Sequence, residues 1–127
     1  MRIPFASILV DDQDKALAFY TEKLGLEKKA DVPYGEYRWL TVVAPDARDG
    51  MELLLEPNAH AAAKAYQKAL FEDNIPATVF FTDDIQTESE LMKAKGVKFV
   101  KEPTKTDGVT IAVFDDTCGN LIQLVEV

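Results

Sequence analysis

The sequence predicts an α+β protein built from two βαβββ modules in tandem, and three observations carry that prediction. Val10-Asp11-Asp12, Phe19-Tyr20 and Leu24-Gly25 are echoed about 70 residues later by Thr82-Asp83-Asp84, Leu91-Met92 and Lys95-Gly96. The apolar run at 51–55 is matched by the run at 121–125. Helical and strand-like periodicities then alternate in the same order in each half. A duplicated unit in so short a chain implies a cleft where the halves meet.

The elements follow in order. Residues 3–10 read as a strand entering the core. Asp11-Asp12 caps the next helix, and Asp14 favours its first turn. Ala16, Leu17, Tyr20 and Leu24 recur at helical spacing and form one buried stripe, which Gly25 ends as a left-handed terminal residue. A second strand begins over 27–31, and Tyr34-Gly35 forms a turn. The aromatic and β-branched run 37–43 is a strand, 44–50 a turn rich in Pro, Asp and Gly, and 51–56 the next strand.

Pro57-Asn58 breaks that strand, and Asn58 is the expected cap of an alanine-rich helix over 59–73. Ala62, Tyr66, Ala69 and Leu70 stand at core spacing in this insertion. The second half then gives a strand at 77–82, a helix at 85–95, a short strand at 99–100, and strands at 109–114 and 120–126. The expected layout is one domain over 1–127, with module one at about 1–57, the helical insertion at about 58–75 and module two at about 76–127.

Composition narrows the function classes. The 127 residues are 47% hydrophobic and carry a formal charge of −8. That balance opposes a nucleic-acid partner and an anionic membrane, and tolerates a neutral or cationic small molecule. No apolar run approaches the ~20 residues that span a bilayer, and the N-terminus lacks signal-peptide character. The one cysteine, Cys118, cannot form an internal disulfide, so a cytoplasmic location is expected.

Val10-Asp11-Asp12, Lys15-Ala16, Phe19-Tyr20 and Leu24-Gly25-Leu26, together with the closing turn Asp115-Asp116-Thr117-Cys118-Gly119-Asn120, resemble the vicinal oxygen chelate superfamily. It contains glyoxalase I, bleomycin-resistance proteins, fosfomycin-resistance enzymes and extradiol dioxygenases. The resemblance covers the whole chain. It implies paired βαβββ modules whose curled mixed sheet forms a cup-shaped cleft for a small ligand, and a homodimer.

Metal-using members place ligands on the first and last strands of each module. The resemblance maps these positions onto Phe5, Glu52, Ala77 and Gln123, of which only Glu52 and Gln123 carry donors. A divalent ion in an enzyme site usually takes three or more protein ligands. The two-histidine triad of the iron dioxygenases cannot be built from His60 alone, so that activity is rejected for a single chain. No metal or other cofactor is expected, and Glu52 with Gln123 leaves room only for a weakly bound divalent ion.

Strand alternation puts Glu52, Leu54 and Glu56 on one face and Leu53 and Leu55 on the other. With Leu53 and Leu55 against the helices, Glu52 points into the cup. There, desolvation would raise its pKa and fit it for general-base work; pairing with Arg38 or Gln123 would make it structural instead. Phe5, Ser7, Leu54, Ala77, Val79, Phe81 and Gln123 line the same mostly apolar pocket, and Trp39 and Tyr37 offer stacking surfaces. His60 reads as solvated, and acidic neighbours make Cys118 a poor nucleophile.

The expected function is therefore small-molecule binding of the glyoxalase/bleomycin-resistance type, with an impaired metal site. One alternative is a glyoxalase- or lyase-like enzyme using Glu52 as base with Gln123 assisting. Another is a structural or regulatory module without turnover.

Overall fold

The computed structural model describes all 127 residues. Module one runs β1 (Phe5–Val10), α1 (Gln13–Ala18), β2 (Glu27–Tyr34), β3 (Tyr37–Val43) and β4 (Glu52–Pro57). The inserted helix α2 (Ala61–Glu72) follows. Module two runs β5 (Thr78–Phe81), α3 (Ile85–Ala94), β6 (Phe99–Thr106), β7 (Val109–Asp115) and β8 (Leu121–Glu126). The predicted tandem of βαβββ units is present. No helix is long and apolar enough to cross a membrane.

The strands form two separate four-stranded sheets of identical order, β1-β4-β3-β2 and β5-β8-β7-β6. In each, the first strand runs parallel to the last and the other pairs are antiparallel. Phe5 stands opposite Glu52 in the first sheet. In the second, Gln123 stands opposite Val79, and the Ala77 N–H donates to Leu121 O. The ladders are thus offset by one pleat relative to the echo that pairs Phe5 with Ala77.

One face of each sheet packs inward. Ile8, Val10, Leu40, Val42 and Leu55 from module one join Ala112, Phe114, Ile122 and Leu124 from module two in a single 16-residue core, with Ala16, Phe19, Tyr20, Ile85 and Met92 from the helical side. At about 25 cal/mol per Å² this shared apolar burial dominates cohesion between the modules.

Local signals operate as the sequence predicts at both helix starts. The Asp12 side chain accepts from Lys15 N, and Asp84 accepts from Thr87 N. Gly25 ends module one's helical segment at φ +77°. The segment itself widens into a π-helical turn over Phe19–Lys23. Phe19 and Tyr20 are adjacent yet both buried, and the wider turn carries both rings toward the core.

The insertion departs from expectation. His60, not Asn58, caps α2, its Nδ1 accepting from Ala62 N at 3.0 Å. Asn58 instead donates to Gln67 Oε1 at 2.7 Å. The inward residue of α2 is Gln67, while Tyr66 is 62% exposed. The alanines support helix propensity without defining a core face. β6 is also longer than the predicted pair 99–100. Lys and Thr residues on one open side mask its strand character.

Candidate functional site

Strand alternation separates Glu52 from Leu53 and Leu55. Leu55 is fully buried and Leu53 packs against the core, so Glu52 lies on the opposite face, its side chain 14% exposed. Thr41 donates to Glu52 Oε1 at 2.6 Å and accepts from Ala30 N at 3.1 Å. Lys29 Nζ lies 3.9 Å from Glu52 Oε2. Lys29 occupies the β-bulge between Lys28 and Ala30, a device that re-aims a side chain. Glu52 is therefore held by a hydroxyl and faced by an ammonium rather than left in an apolar cup.

Neither partner named from sequence takes part. Arg38 sits on the other face, bidentate to Asp31 at 3.0 Å for each contact and paired with Asp14. Those hydrogen bonds, from Asp31 first, raise the Arg38 guanidinium further, and they hold the Asp31 carboxyl below its ordinary range. Gln123 is half-buried in the second sheet opposite Val79.

The remaining predicted positions fall into two groups. Phe5, Ser7, Trp39 and Leu54 share Glu52's sheet face, where the Phe5 and Trp39 rings meet edge-to-face at 5.4 Å and 88°. Ala77, Val79, Phe81 and Gln123 belong to the second sheet, where Val79 is 47% and Phe81 75% exposed. A cavity of about 430 Å³ lies where the modules meet. Glu52, Val79 and Phe81 reach it; Phe5, Ser7, Trp39, Leu54, Ala77 and Gln123 do not. Its walls include Ala6, Leu124 and Leu53, of which strand alternation assigns Leu53 to packing on the helices. Only tertiary placement of the modules reveals it.

Cys118 and His60 have the structural roles their surroundings dictate. Burial first, then the charges of Asp116 and Asp11, push the Cys118 thiol up to about 12. No group of three or more His, Cys, Asp or Glu side chains gathers as a metal-binding set.

The sequence matches the family described as the Glyoxalase/Bleomycin resistance protein/Dioxygenase superfamily over residues 2–124. The chain belongs to that superfamily. It is 63% identical over 126 residues to the uncharacterised protein YurT of Bacillus subtilis (strain 168), covering 99% of both chains. It superposes on the crystal structure of UcmS2 with a TM-score of 0.87 and 34% identity, covering 100% of this chain and 98% of that one. TnmS3, described as an antibiotic binding protein from Streptomyces sp. CB03234, gives a TM-score of 0.76 at 26% identity, covering 99% of this chain and 95% of that one.

Proposed function

We propose that this member of the superfamily binds a drug-sized, neutral or cationic molecule against its open sheet faces, without a catalytic metal. The observation that carries the reading is the exposed Phe5–Trp39 pair beside a held carboxylate, Glu52. Apolar surface with one oriented polar group is the usual make-up of a small-molecule site. The antibiotic binding described for TnmS3 is consistent with it.

The donor chemistry argues against a metal. Phe5, Ala77 and Val79 offer no lone pair, and Glu52 already answers Thr41 and the Lys29 ammonium. A divalent ion would have to displace that ammonium and would gain one carboxylate and at most one amide, short of the usual three ligands. The exposed Phe5, Trp39, Val79 and Phe81 also motivate a homodimer in which a second copy completes the cup. The single, buried Cys118 suits a reducing cytoplasm.

The enzyme alternative keeps one specific support: Thr41 orients Glu52 as a general base would need. The cavity reaching Glu52 counts against a side-chain-filled, purely structural module. Calorimetric titration with a panel of cationic antibiotics tests the binding reading, with protein dialysed against chelator and again after nickel, zinc or manganese. Metal-independent heat with at least one compound is expected. Silence across the panel, or binding only after metal, overturns it. Glu52→Gln separates the enzyme reading: loss of turnover on a thiol-adduct substrate with stability retained would support catalysis.

A further inference from the structure

The two halves of the internal repeat are unequal at the junction between the modules. Phe19 and Tyr20 project from module one into the space the modules share, and both are buried. Their echoes in module two are Leu91, which is exposed, and Met92, which is buried but slimmer. The helical side of module two thus lacks the two rings that module one's helical segment supplies. Leu24, Leu26, Leu53 and Phe80, all packed onto the common core, lie half-buried on the wall of the cavity between the modules. Fourteen of its 18 lining residues are hydrophobic. A space of about 430 Å³ falls within the ~300–1,000 Å³ range of small-molecule sites.

The mouth has a defined charge. Phe81, Thr82 and Glu88 border both this cavity and a small polar pocket that adds Asp83, Asp84 and Thr87. No Lys or Arg lines either one. Asp84 is spent on capping α3, where its carboxylate accepts from Thr87 N and Thr87 Oγ1 and answers the positive end of the helix. Asp83 and Glu88 make no ion pair. Apolar walls below two uncommitted carboxylates complement a molecule with a hydrophobic body and one cationic end.

We propose that the cavity between the modules is a second binding site, sharing Glu52 with the Phe5–Trp39 face but neither of its rings, for a small apolar amine whose body lies against Leu24, Leu53 and Phe80 and whose ammonium faces Glu88 and Asp83. A permanent anion is disfavoured there because it would meet carboxylates with no cationic side chain to offset them.

Methionine methyl resonances read the site directly. Met51 and Met92 line the cavity, whereas Met1 is fully exposed and does not. The probes are naphthylmethylamine, the matching neutral alcohol and the matching carboxylate. The amine is expected to shift Met92 and Met51 saturably, with Met1 unmoved and the carboxylate at least about tenfold weaker. Ala6→Phe, which fills the wall, should weaken the amine at least about tenfold, and Glu88→Gln should erase its preference over the alcohol. Trp39→Ala should leave its affinity unchanged. Absence of saturable Met92 shifts, equal affinity for amine and carboxylate, or dependence on Trp39 overturns the site. If Ala6→Phe does not fold, Glu88→Gln and the three-probe series decide the matter on their own.

Discussion

The phenol of Tyr20 donates a 2.6 Å hydrogen bond to Asp116 Oδ2 across the two modules, and neither residue is exposed. The other donors to Asp116 come from its own turn: Cys118 N, Asn120 N and Asn120 Nδ2, at 2.7, 3.0 and 2.8 Å. Tyr20 is thus the one link from this carboxylate to module one. Tyr20→Phe keeps the ring in the core and deletes the link, leaving a buried charged acceptor one donor short. A loss of about 1–3 kcal/mol is expected, because an unmet buried acceptor keeps its desolvation cost. Urea unfolding with an unchanged m-value checks it.

The same cluster predicts alkaline weakening. Burial pushes the Tyr20 phenol well above its ordinary 10.0, and burial with Asp116 pushes Cys118 from 9.0 to about 12. As pH rises through this range the unfolded chain releases protons that the folded chain keeps, so stability falls. Well below pH 9.0 neither group contributes a slope; the decline sets in with Cys118 as pH approaches 9.0 and steepens as it passes 10.0 and Tyr20 joins. Thermal melts from neutral pH upward should show this, and Cys118→Ala should remove the first part of the decline. A variant that weakens as early and as steeply as the parent would assign the effect elsewhere.

The tandem layout was legible because each half repeats local signals: the capping Asp12 and Asp84, the terminal Gly25, and the alternation that buries Leu55 and turns Glu52 outward. The partners of Glu52 were not. Lys29 reaches it only because a β-bulge re-aims the side chain, and a one-residue bulge leaves no mark on an eight-residue strand. Apolar spacing points to the wrong face of α2 because a polar residue, Gln67, does its docking, and such spacing cannot mark a buried amide. The cavity depends on how the two modules meet, a relation with no local signature.

Gln67 is where the insertion joins both modules. Its Nε2 lies within hydrogen-bond range of Leu9 O in module one and of Cys118 O and Asn120 Oδ1 in module two, at 2.9, 3.1 and 3.2 Å. Gly119, at φ +100°, has no room for a side chain, since a Cβ there would stand 2.8 Å from that nitrogen. Gly119→Ala therefore adds backbone strain of about 1–3 kcal/mol to a steric clash. Gln67→Ala alone should also destabilise by removing the amide that ties Leu9 O to Cys118 O and Asn120 Oδ1 and by leaving Asn58 Nδ2 without its acceptor. The double variant should cost less than the sum of the singles, because shortening Gln67 relieves the clash. Strict additivity in denaturant unfolding would show that the contact is not shared.

Thr41 couples the sheet backbone to Glu52, accepting from Ala30 N while donating to Oε1, and it is fully buried. Thr41→Val preserves shape and removes both bonds. Stability should fall by about 1–3 kcal/mol, as for a buried hydrogen bond with its partners left behind. Thr41→Ser keeps the hydroxyl and should recover most of the loss. Failure of serine to rescue would place the effect in methyl packing.

Trp39, the only tryptophan, turns the open sheet face into its own reporter. It is 37% exposed and meets Phe5 edge-to-face. A planar ligand stacked there should quench its emission saturably, and Phe5→Ala should weaken that response while costing about 0.5–1.5 kcal/mol of aromatic pairing. A second copy covering the face would act differently: emission would shift to the red on dilution without ligand, as water regains the indole. Sedimentation over the same concentrations separates the two causes. Quenching that survives Phe5→Ala and Trp39→Phe, followed then through tyrosine emission, would place the ligand away from this face and toward the cavity between the modules.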